Sequence, residues 1–420
     1  MIQRLKSNTF VWNSLILFSG TMLVNVLNYL FHFAVGRLVT APVYGEVEAL
    51  ISLLTIVSVP AGAIGIIATK YSAKMKLSGD KGGSYALFRY LNKQIFFFGL
   101  PLLLIVFALT PIIKNFLNIE SSIPLFFVWA LMFLSFLSAV SNGILSGWQK
   151  FGSANATGIW GALSKLILGV VLIKLGFLVN GAVGSFLVAG VVSYGVSLLC
   201  LRFILETKSV SDTSQVIQDI DTRTIKQSVL PTFIGIFAIT LLGNVDMIFA
   251  KHALDPAVSG EYSALSIVAR TIFFVTSVIA SVLFAMTAGE GQKSEASVHT
   301  FKQASLLTLL IGLGSVAFFF LFPSFVLSIF FGAKYLSVSH FLVWFALMAA
   351  FYSLANLFVQ YLLSLHQMNV MIWFLMIAIG EVFALYFFGK SLYTIIIIAT
   401  GMQIITMVAG FFFIRRALKR

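Results

Sequence analysis

The sequence predicts an all-α polytopic membrane protein, about twelve transmembrane helices arranged in two six-helix lobes, and three observations predict it. Hydrophobic residues make up 60% of the 420 and charged residues only 10%, where an average soluble domain carries roughly 25% charged residues. The apolar residues fall into runs of about 20 or more, the length a helix needs to cross the bilayer hydrocarbon. Two short motifs recur about half a chain apart. A soluble core could not absorb so much apolar side chain, and mean hydropathy is +1.02.

Hydropathy places the candidate spans at 11–36, 43–68, 95–113, 123–146, 156–175, 181–204, 229–250, 260–286, 303–323, 339–364, 370–388 and 392–414. The basic start, with Arg4 and Lys6, is followed by an apolar run to about Val35 without a small-x-small cleavage pattern, so the first span is expected to be retained. With the N-terminus inside, the inner segments hold 19 Lys and Arg and the outer ones six: Arg37, Lys114, Lys174, Lys251, Lys334 and Lys390. Lys165 and Arg270 lie within spans and complete the 27. The positive-inside rule therefore puts both termini in the cytoplasm of a cell-membrane (inner-membrane) protein.

The hydrophilic stretch 205–228 reads as a cytoplasmic linker between an N-terminal lobe, 1–204, and a C-terminal lobe, 229–420. The internal repeat supports that division. Gly45-Glu46-Val47-Glu48-Ala49-Leu50 recurs as Gly260-Glu261-Tyr262-Ser263-Ala264-Leu265, and Leu145-Ser146-Gly147-Trp148-Gln149 recurs as Leu363-Ser364-Leu365-His366-Gln367. The offsets, 215 and 218, are nearly equal, and each match sits at the same topological position in its half. Two parallel six-helix repeats are a recurrent transporter plan.

Composition also excludes function classes. The net charge of +13 would point to nucleic acid in a soluble protein, but here it is accounted for by the loops, and no nucleic-acid partner is expected. A single cysteine, Cys200, permits no intrachain disulfide and no cysteine metal cage. The five histidines lack ligand spacing, and there is no His-Glu-x-x-His or Walker A motif. No metal or cofactor is expected, and nothing argues for an enzyme. Most tryptophans fall near span ends, where a membrane belt is the default reading, and the basic loop from Lys70 to Lys93 can attract anionic headgroups.

The residues that could carry function are charges and amides inside spans. A charge at a helix centre costs about 2.5–3.5 kcal/mol on insertion scales and marks a pathway or a pair. Arg270 and Lys165 are candidate contacts for an anionic substrate. Asp246 and Glu381 are either ion-coupling groups or structural partners of those cations. Asn25, Asn28 and His32 follow at spacings of three and four, on one stripe of the first span. That stripe either lines a cavity or bonds to another helix. At the outer turns, Arg37 with Glu46 and Lys251 with Glu261 are expected to form interfacial ion pairs.

Gly36-Arg37-Leu38 with Tyr44-Gly45, and Asn244-Val245-Asp246 with Gly260-Glu261-Tyr262-Ser263-Ala264, resemble the starts of the two lobes in a known family. It is the polysaccharide and O-antigen flippases of the multidrug/oligosaccharidyl-lipid/polysaccharide (MOP) exporter superfamily. The resemblance implies a MATE-like, V-shaped pair of bundles around a central cavity that opens alternately to either side. Arg270 resembles an arginine of the lipid II flippases, whose cationic cavity accommodates a lipid diphosphate. The absence of two further C-terminal spans, and Asn28 and His32 in place of charged residues, favour an O-antigen or capsular-repeat flippase. The expected substrate is a polyprenyl-diphosphate-linked oligosaccharide, the expected surroundings are membrane lipids, and glycosyltransferases or a polysaccharide polymerase are the expected protein partners. A MATE-like cation antiporter is the alternative. A membrane glycosyltransferase or polymerase would want a larger extramembrane loop than any present.

Overall fold

A chain in hydrocarbon must satisfy its backbone hydrogen bonds within itself, and apolar runs of this length do so as helices. The computed structural model describes residues 9–206, 229–288 and 295–419, and among them the regular structure is helical throughout. The helices are α1 (Thr9–Leu38), α2 (Ala41–Val57), α3 (Val59–Leu77), α4 (Lys81–Gln94), α5 (Leu100–Phe116), α6 (Ile123–Gly147), α7 (Phe151–Leu172), α8 (Leu178–Cys200) and α9 (Arg202–Leu205). After the linker come α10 (Leu230–Leu242), α11 (Val245–Ala253), α12 (Pro256–Ala288), α13 (Glu295–Leu321), α14 (Pro323–Phe331), α15 (Leu342–Ser364), α16 (Met371–Phe388) and α17 (Leu392–Lys419).

Eleven helical stretches among the described residues are long and apolar enough to cross a membrane. One of them, Phe151–Cys200, is 50 residues long, and it doubles back. The π-turn Ile173–Phe177 carries Gly176 at φ 92°, a left-handed conformation that a side chain would resist, and α8 then returns along α7. Close approaches of Gly161 to Ala189, Gly169 to Ser185 and Gly181 to Leu172 give that hairpin its antiparallel register. The stretch therefore supplies two of the twelve expected crossings. Side chains such as Phe97, Leu104, Ile112, Phe383 and Ile397 are exposed, as a lipid-facing surface requires.

Contacts group the chain into two compact units. One is Met1–Leu38 with Val57–Ile225, the other Val39–Ile56 with Lys226–Arg420. Relative to lobes of 1–204 and 229–420, the segment that changes sides is 39–56. Its reason is close packing at the start of α2, where a Cβ on Gly45 would come within 2.8 Å of the Gly260 nitrogen. The two glycines of the repeated motif thus lie against one another. Nearly all of the expected linker lies outside the described residues, as do Arg4 and Lys6.

In the first unit, α6 is the central helix, packed by α3, α5 and α8. Trp129 is fully buried there and donates its indole N–H to Thr110 Oγ1 at 3.0 Å, so it does not belong to a lipid-facing belt. Trp148 likewise bonds to Ser84 Oγ at 3.0 Å. Trp160, Trp344 and Trp373 are exposed as a belt would have them, and the Trp12 side chain is outside the described set. Near Trp148, Lys76 donates to Gln149 Oε1 at 2.6 Å, and the Lys150 ammonium lies 3.5 Å over the Phe203 ring. Burial, then the nearby charge of Lys81, holds the Lys150 pKa below its usual value.

The second unit is built on α15, against which α12, α13 and α17 pack. A ladder of hydroxyls joins it to α12: Thr276 donates to Ser353 at 2.8 Å and Thr287 to Ser364 at 2.7 Å. Small hydroxyl side chains allow close helix approach and bond across it, the usual glue of membrane helices. A Cβ on Gly260 would collide with the Ala41 backbone, whereas Gly314 has open space around it. Gly260→Val is therefore expected to cost about 1–3 kcal/mol by overpacking and Gly314→Val little or nothing, as measured by unfolding of the purified variants in detergent.

Candidate functional site

The polar centre of the second unit begins with an interruption of the seventh span. Helix α10 ends at Leu242, Asn244 takes φ −138°, and α11 starts one residue later. A break within hydrocarbon frees backbone groups that side chains must satisfy. Asn244 donates its amide to the Thr240 carbonyl at 2.8 Å, and Tyr352 adds its hydroxyl at 3.0 Å to the Ile239 carbonyl, which also accepts the Gly243 N–H. The restart also places Asp246 in the first turn of α11, where a carboxylate is favoured by the helix dipole.

Around that restart the structure brings together two of the charges singled out in the sequence. The Asp246 carboxylate is buried, accepts the Tyr262 hydroxyl at 2.8 Å on Oδ2, and faces Arg270 with Oδ1 3.6 Å from a guanidinium nitrogen. A second guanidinium nitrogen donates to Asn244 Oδ1 at 3.1 Å. Arg270 keeps 23% of its side chain exposed while Asp246 keeps 2%. The cation is thus held by two acceptors, with Nη2 buried beside Asp246 and part of the side chain exposed. A guanidinium of this kind suits phosphate oxygens, and Arg270 retains N–H groups that make no hydrogen bond among the described residues.

Beside this cluster lies a cavity of about 220 Å³ whose polar lining is Thr55, Thr240, Asn244, Tyr352, Asn356 and Gln360. None of its lining residues is charged. Hydroxyls and amides that both donate and accept are suited to sugar hydroxyls, and the volume is below that of a typical drug-sized site. Asn244 belongs to both the cavity wall and the Arg270 contact, so the two features are continuous.

Glu381 stands apart. It is completely buried on α16, and neither carboxylate oxygen has a hydrogen-bond partner among the described residues. The expected alternative of a salt bridge to Arg270 or Lys165 is not formed by Glu381; Asp246 holds Arg270 instead. At the turn after α11, Lys251 and Glu261 make no ion pair among the described residues. Lys251 is buried in the last turn of α11, where a cation complements the helix C-terminus.

In the first unit Lys165, on α7, is buried and donates to Asn28 Oδ1 at 2.5 Å. Its ammonium also lies 4.5 Å from the Phe186 ring and 4.9 Å from the Phe31 ring, within the range of cation–π attraction. Of the α1 stripe, Asn28 therefore bonds to another helix. His32 packs its ring 5.8 Å from Phe31 and 6.4 Å from Tyr29, and Asn25 is half-buried.

Sequence reasoning gave no role to Tyr262 or to the cavity amides. The intramembrane amide rule that marked Asn25 and Asn28 applies equally to Asn356 and Gln360, four apart on α15. Tyr262 carries no such signal, since a tyrosine in a span is ordinarily core or belt.

A protein family model described as "Polysaccharide biosynthesis protein" matches residues 10–289. No curated protein sequence matches the chain. Among solved structures, the chain is similar to an inward-facing multidrug resistance MATE family transporter of the MOP superfamily. The two share 17% identity with a TM-score of 0.72, covering 96% of this chain and 98% of that one. A MATE in the straight conformation matches at 16% identity and TM-score 0.65, covering 97% and 95%. A MOP superfamily transporter from Pyrococcus furiosus, described by a reversed polarity of its binding pocket, matches at 18% and 0.59, covering 97% and 95%. The fold is therefore the MATE-like fold over nearly the whole chain.

Removing either partner of the Arg270–Asp246 pair leaves a partly or wholly buried charge uncompensated. In a double-mutant cycle of Arg270→Gln and Asp246→Asn, each single change is expected to destabilise, and the double change to cost less than their sum by about 0.5–3 kcal/mol. Denaturant unfolding in mixed micelles measures it; additive losses would mean that the pair is not energetically coupled.

Proposed function

This chain belongs to the polysaccharide biosynthesis protein family, and from that premise we propose that it flips polyprenyl-diphosphate-linked oligosaccharides from the inner to the outer leaflet. The movement is by alternating access, and it serves the building of a surface polysaccharide. The observation that carries the reading is Arg270: a cation inside a span, held by Asn244 and Asp246, part-exposed, and continuous with an uncharged cavity of hydroxyls and amides.

The chemistry of such a substrate divides into three parts. Its polyprenyl tail is at home in lipid, its diphosphate needs cations, and its sugars need neutral donors and acceptors. A polar head cannot cross about 30 Å of hydrocarbon unaided, while the tail can stay in it. Arg270 would supply charge-assisted bonds to the diphosphate, and Asn356, Gln360 and Tyr352 would meet sugar hydroxyls. In the first unit, Lys165 is by itself a contact for an anionic substrate, with Asn28, Asn25 and His32 of the same unit as polar contacts. Its contacts to Asn28, Phe31 and Phe186 must then loosen when substrate enters. Asp246 and Glu381 are the groups through which a cation could couple to the movement. The protein performs no chemical step on the lipid, and it sits in the inner membrane with cytoplasmic termini. Its partners are the enzymes that make and polymerise the glycan.

A MATE-like cation antiporter is the second reading, and the fold likeness to multidrug MATE transporters together with the buried acids Asp246 and Glu381 favours it. Against it stands the cavity, whose lining carries no carboxylate for a cationic drug.

Translocation of a fluorescent lipid-diphosphate sugar in proteoliposomes tests the proposal. Arg270→Ala is expected to lower flipping by about tenfold or more, the worth of a charge-assisted bond, and Arg270→Lys to retain part of it. Normal flipping by a well-expressed Arg270→Ala would remove this residue from the site. Pumping of a cationic dye with no movement of the lipid would favour the antiporter.

A further inference from the structure

On the basic side of the first unit, helix α4 differs from every span around it. It starts at Asp80, whose carboxylate caps the helix by accepting the Gly83 N–H at 2.7 Å, and from Lys81 to Gln94 it contains no acidic residue. Tyr85, Arg89 and Lys93 recur every four residues and so share one face. The Arg89 guanidinium lies 6.0 Å over the Tyr85 ring. At Ile95 a π-turn interrupts the helix, and Phe96, Phe97 and Phe98 follow, with 53%, 70% and 66% of their surface exposed. Cationic surface thus gives way within one turn to bare aromatic surface. That is the order of a lipid leaflet: phosphate first, then acyl chain.

A cavity of about 870 Å³ opens at this transition. Arg89 and Lys93 line it at its polar end, Phe96 from the π-turn and Leu137 from α6 line its apolar part, and Tyr194 from α8 contributes a phenol. No lining residue is acidic. Two uncompensated cations, an apolar wall continuous with the lipid-facing surface, and a volume far above what a bare phosphate needs describe one kind of occupant. We propose that this groove between α4, α6 and α8 binds an anionic phospholipid, the headgroup phosphate on Arg89 and Lys93 and the upper acyl chain along Phe96 and Leu137. The site is distinct from the Arg270 cluster, and it stands whether or not the chain flips a glycolipid.

Native mass spectrometry of the full chain, released from nanodiscs of equal phosphatidylglycerol and phosphatidylcholine, reads the proposal directly. One phosphatidylglycerol per chain is expected to stay bound in preference to phosphatidylcholine, and millimolar inorganic phosphate should not displace it. R89Q with K93Q is expected to lower that retention by roughly tenfold or more, since each basic residue near the surface contributes of order one kcal/mol. Tyr194→Trp, which fills the groove without altering charge, should also lower it. Lys302→Gln with Arg415→Gln removes the same charge elsewhere and should leave it unchanged. Equal retention of phosphatidylcholine, undiminished retention in the Arg89 and Lys93 variant, or an equal loss in the Lys302 and Arg415 control would each overturn the site. Displacement by phosphate would show a free-anion site and overturn the lipid assignment. Lipid-diphosphate flipping is measured on the same preparations, so a failure here is distinguishable from a failure of the transport reading.

Discussion

Hydrocarbon offers a backbone N–H or carbonyl no partner, and each unsatisfied group there costs several kcal/mol. A break in a helix there has to be answered by new partners, and the candidate site grows out of one such answer. Where the seventh span stops at Leu242 and restarts at Val245, Asn244 bonds the Thr240 carbonyl, and Tyr352 adds a second donor to the Ile239 carbonyl, which also accepts the Gly243 N–H. Because Asn244 bonds backward through its amide nitrogen, its oxygen is left facing forward, and Arg270 occupies it. The same restart sets Asp246 beneath the guanidinium. The cation's orientation is a consequence of the break.

The four intramembrane charges Arg270, Asp246, Lys165 and Glu381 are handled in three ways. Arg270 and Asp246 oppose one another, with Tyr262 completing the carboxylate's bonding. Lys165 is held by an amide oxygen and two aromatic faces, which stabilise a cation while leaving its sign uncancelled by those groups. Glu381 has neither arrangement, and its two oxygens are buried without a hydrogen-bond partner among the described residues. A group of this kind persists in a membrane segment when something besides stability retains it.

Much of this was legible in the sequence, and the parts that were not share a cause. Span number, the helical class and the family all follow from apolar runs and a few local motifs. The turn at Gly176 falls between the spans 156–175 and 181–204 that hydropathy separates, although the helical stretch there runs on from Phe151 to Cys200. The pairing of Arg270 with Asp246 was one of the alternatives a reading of intramembrane charges leaves open, whereas Asn28 meeting Lys165 joins residues 137 apart and depends on how α1 meets α7. The affiliation of 39–56 with the second unit was invisible for the same reason: two glycines 215 residues apart announce a repeat but not that they touch. Local pattern reports elements; only packing reports which elements share a core.

Lys165 sits behind Phe31 and Phe186, and Asp246 beneath Arg270, both out of reach of dissolved ions, whereas Arg89 and Lys93 stand at an open rim. Counter-ions at physiological strength screen exposed charges over about 8 Å and buried ones far less. Ionic strength therefore divides the molecule's electrostatics into two classes. The rim is tuned by the salt of the compartment it faces, and the interior keeps nearly the same field in a dilute medium as in a concentrated one.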